Sequence, residues 1–316
     1  MSINITEASI DVIILTYKPD NGFGNLIKRL LKQTRKINKI IVINTGIEYW
    51  DDRFLDLTDL IEVHHINKEE FGHGSTRNMS VKYSDADIVV FMTQDAKPYN
   101  KYTLEKLIEG FGKDSNVYCA YARQLAKSDA TEIERYTRIH NYPRKSCVKS
   151  KEDLKSMGIK TYFCSNSCAA YDRAEFLRLG GFDEELGFGE DTVFAAKIIE
   201  NDGKIAYCGD SIVLHSHNYS LVEQFTRNFD IGVMHRDVLS QYNIPHAEGE
   251  GLKLVINTAS YLIECREYLW LIYLLFYSGA KYMGYLAGNN HNLIPKTIKK
   301  ELAMNPAYFD KKKKAK

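Results

Sequence analysis

Asp87-Ile88-Val89-Val90-Phe91-Met92-Thr93-Gln94-Asp95-Ala96 is the stretch on which the fold turns. Residues 88–92 are apolar without interruption and begin with three β-branched side chains. Such a run makes a strand covered on both faces, as in the middle of a largely parallel sheet. It ends abruptly on a lone carboxylate, Asp95. Ligands of open α/β sheets bind beyond the carboxyl ends of the strands. Asp95 is therefore placed to hold a metal–phosphate complex. An Asp at a strand end also starts many ordinary turns, so the flanking sequence has to decide.

Working outward, residues 10–16 and 39–44 are strand-like, 60–66 is a weaker strand, and 117–122 is another. Helical spacing fills the gaps. Residues 24–33 carry Leu26, Ile27, Leu30 and Leu31 on one stripe. Residues 75–83 read as a short helix capped by Ser75 or Thr76, and 102–111 as a further helix. This alternation predicts an α/β fold, a mostly parallel mixed sheet with helices on both faces. Beyond 122 the pattern loosens: a helix at 131–140, a polar, loop-rich stretch at 141–160, and a turn at Gly180-Gly181-Phe182-Asp183. A helix follows at 190–200, then short strands at 204–208 and 212–215. Helices are expected over 221–242 and 252–286, the second broken near Ser278-Gly279. The chain thus divides into a sheet-containing unit, 1–220, and a helical C-terminal region, 221–316.

The 316 residues are 44% hydrophobic and 26% charged, ordinary for a globular chain. Lys plus Arg number 42 against 41 Asp plus Glu, a net charge of +1 that argues against a nucleic-acid partner. The basic residues do gather at the end, in Lys311-Lys312-Lys313-Lys314-Ala315-Lys316. Together with the aromatic-rich stretch 268–277 this tail offers the two weak signals that binding to an anionic membrane surface needs. That stretch is too short to span a bilayer, which takes ~20 residues. It serves equally as a core helix or as a face packed on a second copy in a homodimer. Six cysteines show neither C-x-x-C pairing nor zinc-site spacing, and no secretory leader is read at the N-terminus. The expectation is a reduced cytoplasmic protein, with peripheral attachment to the inner face of the cell membrane as an extension of it.

Two further groups carry chemistry. Glu190-Asp191 opens a helix after Gly187-Phe188-Gly189. An acidic pair there is often only a cap favoured by the helix dipole, but it also suits a carboxylate base aimed into a cleft. His215-Ser216-His217 follows a strand, and two histidines at i and i+2 point the same way. One carboxylate after a central strand, an acidic helix start and a late histidine pair supply a metal ligand, a base and further metal ligands. A divalent ion so held would neutralise a leaving diphosphate. Arg77-Asn78, beside Gly72 and Gly74, suits a phosphate or a sugar hydroxyl.

These motifs resemble those of the inverting, nucleotide-sugar-dependent glycosyltransferases of family two, which have a GT-A fold. The resemblance covers about residues 10–220. It rests on the strand through Thr16 and Tyr17, on 40–46 with Asn44, on Thr93-Gln94-Asp95 where the family has D-x-D, and on Gly180-Gly181-Phe182-Asp183 followed by Glu190-Asp191. Two positions depart from the pattern: Thr93 stands for the first Asp of D-x-D, and Asn44 for the usual Asp. Phe71-Gly72-His73-Gly74-Ser75-Thr76-Arg77-Asn78 with Thr93-Gln94-Asp95-Ala96 resembles the rhamnosyltransferase branch, and Lys281-Tyr282-Met283-Gly284-Tyr285-Leu286-Ala287-Gly288 fits that branch less specifically.

The resemblance implies Asp191 as catalytic base with Glu190 beside it. It implies Mg2+ or Mn2+ on Asp95, with His215 or His217 as a further ligand. It implies a donor pocket formed by Thr16, Tyr17, Asn44, Arg77, Asn78, Gln94 and Asp95. The donor it implies is dTDP-L-rhamnose and the acceptor a lipid-linked saccharide, in bacterial cell-surface polysaccharide synthesis. A UDP-sugar donor, or a catalytically silent binding protein on the same fold, stays open at this point. A dinucleotide-dependent oxidoreductase does not fit, because Tyr17-Lys18-Pro19-Asp20-Asn21-Gly22 lacks the G-x-G-x-x-G that should follow the first strand.

Overall fold

The computed structural model describes residues 4–238, 240 and 248–311. The sheet-containing part runs β1 (Ile10–Tyr17), α1 (Asn21–Leu30), β2 (Lys39–Thr45), β3 (Ile61–Ile66), α2 (His73–Val81), β4 (Ile88–Thr93), β5 (Lys97–Pro98), α3 (Thr103–Ile108) and β6 (Val117–Leu125). It continues with α4 (Glu132–Asn141), β7 (Cys147–Lys149), α5 (Leu154–Met157), β8 (Cys168–Asp172), α6 (Arg173–Arg178), α7 (Glu190–Glu200) and β9 (Lys204–Leu214). Then come α8 (Leu221–Asp237), α9 (Glu248–Glu264), α10 (Tyr268–Asn289), α11 (Lys296–Leu302) and α12 (Tyr308–Lys311).

The strand order is β3-β2-β1-β4-β8-β6-β9-β5, with β7 also paired to β9. Strands β1 to β4 are mutually parallel, β8 is antiparallel to β4 and β6, and β6 with β9 is parallel again. The sheet has a core on each face. Val90 and Met92 of β4 join Val12 and Ile14 of β1 under α1 and α3, while Val89 and Phe91 join Ile13 on the side of α2, α6 and α7. Residues 88–92 are at most 1% exposed, as a doubly covered strand requires. Each such aliphatic side chain contributes roughly 1.5–3 kcal/mol by leaving water.

Several boundaries differ from the sequence reading. Strand β8 was not expected, and it runs antiparallel in the middle of the sheet, between β4 and β6. The stretch 141–160 contains β7 and α5 as well as loops. Helix α2 begins at His73, so Ser75 and Thr76 lie inside it; Thr76 Oγ1 accepts from the Gly72 amide instead of capping. Residues 204–214 form one strand, not two. Its register against β6 jumps between Ala122 opposite Cys208 and Arg123 opposite Ile212, so residues 209–211 bulge out of the ladder. The helical break falls at Cys265, Arg266 and Glu267, where Arg266 takes φ 61° and the Glu267 amide donates to Leu262 O. Helix α10 runs straight through Ser278-Gly279 because nothing crowds Gly279 and packing on α8 holds the helix together. The helix expected over 221–242 ends at Asp237, where Val238 leaves helical geometry at φ −122°, and residues 239, 241 and 242, like the lysine tail from 312 onward, lie outside the described residues.

Helices α8 and α10 pack with their backbones almost touching. A Cβ on Gly284 would lie 2.2 Å from Phe225 O, and one on Gly288 would lie 2.0 Å from Phe229 O. The glycines of the 281–288 motif thus set the closest approach of this helix pair. Among the described residues no helix is long and apolar enough to cross a membrane.

Candidate active site

Helix α7 starts with Gly189 as N-cap at φ 81°, ψ 20°. Only glycine takes that conformation cheaply, and a Cβ there would also press on Met234 at 3.0 Å. With no side-chain cap, the first turn carries Glu190 and Asp191 against the positive end of the helix. The two carboxylates are treated differently. Glu190 Oε1 accepts from Arg77 Nη1 at 2.8 Å and from Asn166 Nδ2 at 3.2 Å, in a site where both charged side chains are buried. Burial alone would raise the Glu190 carboxyl; the guanidinium of Arg77 and the other neighbours hold it below its ordinary value.

Asp191 Oδ2 accepts from the Asn166 amide at 3.1 Å, and Oδ1 from the Thr192 amide at 2.8 Å. It meets no cation within ion-pair distance among the described residues. Burial and the charge of Glu190 push it up to about 6. One carboxylate is thus fixed as an ion while the next is poised to exchange a proton near neutrality.

Asn166 was missed by the sequence reading. It lies just before β8, and Tyr171 of that strand donates to its Oδ1 at 2.8 Å. Its only mark in the sequence is the polar triplet Ser165-Asn166-Ser167. Asn78 is elsewhere employed. Its amide donates to Phe182 O and to Glu184, and its Oδ1 accepts from the Phe182 amide, which staples α2 to the Gly-Gly-Phe-Asp turn. His73, whose carbonyl accepts from Arg77, is kept neutral by burial.

The end of β4 forms a second centre. Asp95 lies 3.4 Å from His215 Nε2, 3.6 Å from His217 Nε2 and 3.2 Å from Lys127 Nζ. The two imidazole Nε2 atoms are 3.0 Å apart. The ligand-type atoms of Asp95, His215 and His217 all fall within 4.8 Å of one another. Burial would raise the Asp95 carboxyl, but His215, Lys127 and His217 hold it far below the usual carboxylate range. Burial, and then His215, lower His217 to about 4, so it is a neutral imidazole at physiological pH.

The tautomer of His215 follows from its neighbours. Arg138, which can only donate, gives Nη1 to Gln124 Oε1 at 2.7 Å, so that oxygen is an acceptor. His215 Nδ1 faces the same oxygen at 2.9 Å and must therefore carry the hydrogen. Its Nε2 faces Asp95 and His217. An outer partner of this kind is how proteins orient a ligating imidazole. Mixed carboxylate and imidazole ligands fit a first-row divalent ion such as Mn2+ better than Mg2+, which favours oxygen. Gln124, Lys127 and Arg138 carry no motif in the sequence.

At the ends of β1 and β2 the expected donor residues divide into two groups. Thr16 and Asn44 are buried and bonded to each other at 3.1 Å, and the Asn44 amide also donates to Gly46 O. Gln94 uses both ends of its amide on Tyr17 N and O, which ties β4 to β1. Tyr17 is 41% exposed and meets Tyr49 edge-on at 5.5 Å, with Lys18 Nζ 4.7 Å above the Tyr49 ring. This aromatic rim with its cation was only half visible in the sequence, since Tyr49 and Lys18 belong to no motif.

Against known proteins, the model of the family described as "Glycosyl transferase family 2" matches residues 11–180. The chain is 36% identical over 305 residues to the O-antigen chain rhamnosyltransferase RfbN of Salmonella typhimurium, covering 95% of this chain and 96% of that one. It is 35% identical over 305 residues to the O-antigen chain rhamnosyltransferase WbaN of Salmonella anatum, covering 96% of each. Among solved structures it resembles the mannosyltransferase PcManGT of Pyrobaculum calidifontis in complex with GDP-Man and Mn2+. That match has a TM-score of 0.56 and 14% identity, over 96% of this chain and 85% of that one. It also resembles S. aureus TarS 1-349 in complex with UDP, with a TM-score of 0.51 and 15% identity, over 90% and 91%. These two likenesses speak to the fold. The mixed sheet with its helical C-terminal region, the family model and the near-full-length similarity to named transferases agree: the chain belongs to glycosyl transferase family 2 and is a glycosyltransferase of the GT-A fold.

Proposed function

We propose that this enzyme transfers L-rhamnose from dTDP-L-rhamnose to a lipid-linked saccharide, with inversion, in the synthesis of a bacterial cell-surface polysaccharide. The chemistry rests on the Glu190–Asp191 pair, one carboxylate neutralised by Arg77 and the other not. The choice of sugar and pathway is supported by the two O-antigen chain rhamnosyltransferases that the chain resembles over almost its whole length. Asp191 takes the proton from an acceptor hydroxyl, and that oxygen attacks the anomeric carbon from the face opposite the diphosphate. Glu190 stays ionised on Arg77, raises the basicity of Asp191 through its charge and leaves the proton transfer to its neighbour. The rim of Tyr17, Tyr49 and Lys18 receives the nucleoside end. Asp95, His215 and His217 would hold Mn2+ or Mg2+, which when bound neutralises charge on the departing diphosphate.

Thermal melting with dTDP, UDP, GDP and dTDP-rhamnose, each with and without Mn2+, tests this reading. A ligand of the native state raises the melting temperature by mass action. A rise with the dTDP species alone, larger with metal, is the expected result. A rise with UDP alone would overturn the donor, and no rise with any nucleotide would favour a silent binding protein.

The same reading places the helical region on a membrane surface. Leu269, Ile272, Leu275 and Phe276 of α10 are 59–84% exposed, and α11 adds Lys296, Lys299 and Lys300. Apolar area beside basic charge is what interfacial binding needs. The chain is expected to float with vesicles containing phosphatidylglycerol and to stay behind with neutral ones. A chain that never floats and sediments as a dimer would assign this face to a second copy.

A further inference from the structure

Arg227 on α8 and Lys281 on α10, both half-buried, stand apart from the enzyme's other charges. Neither meets a carboxylate within ion-pair distance among the described residues. Arg227 lies between the two halves of the site. Its guanidinium is 4.8 Å from the ring of Phe188, three residues before Asp191, and 5.4 Å from Tyr219, whose ring stacks on His217. Among the described residues it donates to Tyr219 Oη at 3.4 Å. Lys281 stands on the stripe Tyr277, Lys281, Gly284, Gly288 that α10 turns toward α8, with its ammonium 5.5 Å from the Tyr277 ring.

A lysine on the packing stripe of a closely packed helix pair is costly unless something compensates its charge. Glu134, whose charge attracts Lys281, is engaged at 2.6 Å by Arg138. Asp230, one turn beyond Arg227, accepts from the Asn305 amide, and burial pushes it up to about 6, so near neutral pH it is a second carboxylate beside Arg227. Burial, and then the repulsion of Arg227 and Arg138 set against the attraction of Glu134, lower the Lys281 ammonium. Three cations, Arg138, Arg227 and Lys281, thus face two carboxylates, Glu134 and Asp230, and one positive charge is left over.

We infer that Arg227 and Lys281 form an anion site for the phosphate group of the lipid-borne acceptor, between the base Asp191 and the apolar helices α9 and α10. The inference rests on the transferase reading above and names the part of the acceptor that the protein grips. A planar guanidinium and a point-charge ammonium together suit a phosphate or diphosphate. Tyr282 and Met283, next to Lys281, are exposed apolar residues, so the apolar part of the same ligand has surface to follow. The 281–288 motif then has a single rationale: its glycines bring α10 against α8, and its lysine stands on the same stripe, where the charge of Arg227 is felt.

The test uses the full chain saturated with dTDP and Mn2+, so that the donor site is closed to competing phosphates. Farnesyl diphosphate is titrated as a soluble prenyl diphosphate. Arg227→Gln and Lys281→Gln are each expected to weaken its binding at least tenfold, on the order of one lost charge-assisted contact, with Lys281→Arg close to wild type and dTDP affinity unchanged. The inference is overturned by wild-type protein that binds dTDP but no farnesyl diphosphate, by variants that bind it normally, or by an equal loss of dTDP affinity. Loss of phosphatidylglycerol vesicle binding without loss of farnesyl diphosphate binding would overturn it too, since the cations would then serve bilayer headgroups. Failure of dTDP itself to bind the wild-type chain would strike the transferase reading instead.

Discussion

Asp191→Asn is expected to lower kcat by about 10²–10⁴-fold, the usual worth of a positioned general base, while dTDP and donor bind as before. The substitution keeps the shape at the cost of one acceptor, since the Asn166 and Thr192 amides donate to different oxygens of Asp191 and Asn offers only one. What disappears is the lone pair that takes the acceptor's proton. The pH profile gives an independent reading of the same group. A carboxyl raised to about 6 is a base only once deprotonated, so kcat/KM should climb as pH rises through about 6 and level off above it. Activity is lost on the acid side and not on the alkaline side. Radiolabelled transfer measured from pH 4.5 to 8.5 checks both points. An Asp191→Asn enzyme within tenfold of wild type would remove Asp191 from the mechanism.

Arg77→Ala should destabilise the fold by about 3–5 kcal/mol, the cost of stranding one member of a buried ion pair. Arg77 and Glu190 side chains are only 6% and 7% exposed, so solvent cannot replace the missing charge. The guanidinium also donates to His73 O, which binds α2 to α7 through one side chain. Denaturant unfolding of the single variant and of Arg77→Met combined with Glu190→Gln separates the causes. The double variant should recover much of the loss, because it leaves no buried charge behind. A loss below about 1 kcal/mol in the single variant, well short of the buried-pair figure, would mean that Glu190 is compensated by another group.

The sequence shows the parallel half of this molecule plainly, because doubly covered strands such as Ile88–Thr93 are long apolar runs bounded by turns. Strand β8 escapes for a physical reason. Cys168-Ala169-Ala170-Tyr171-Asp172 is short and mostly small, and its partners β4 and β6 are found only once the chain has folded. Asn166, just before it, is lost with it. Asp95, Glu190, Asp191, His215 and His217 stand out because each sits in a short polar motif next to an apolar element. Their supporting residues do not: Gln124 reaches His215 across 91 positions, and Arg77 reaches Glu190 across 113. The turn at Arg266 is equally silent, since the left-handed residue there is neither Gly nor Asn.

The bulge in β9 decides which way the histidines look. Side chains alternate along a strand, so in an unbroken β9 every odd-numbered residue would share the face of Ile205 and Tyr207. Residues 209–211 are an odd insertion, and they reverse the parity: Val213 lies in the same core as Ala206 and Cys208. His215 and His217 inherit the reversed frame, on the side where Asp95 waits at the end of β4. The reading frame of the strand, and not only the identity of its residues, therefore decides whether the two histidines meet Asp95. Lengthening or shortening that bulge by one residue would keep both histidines in the chain and turn them away from Asp95.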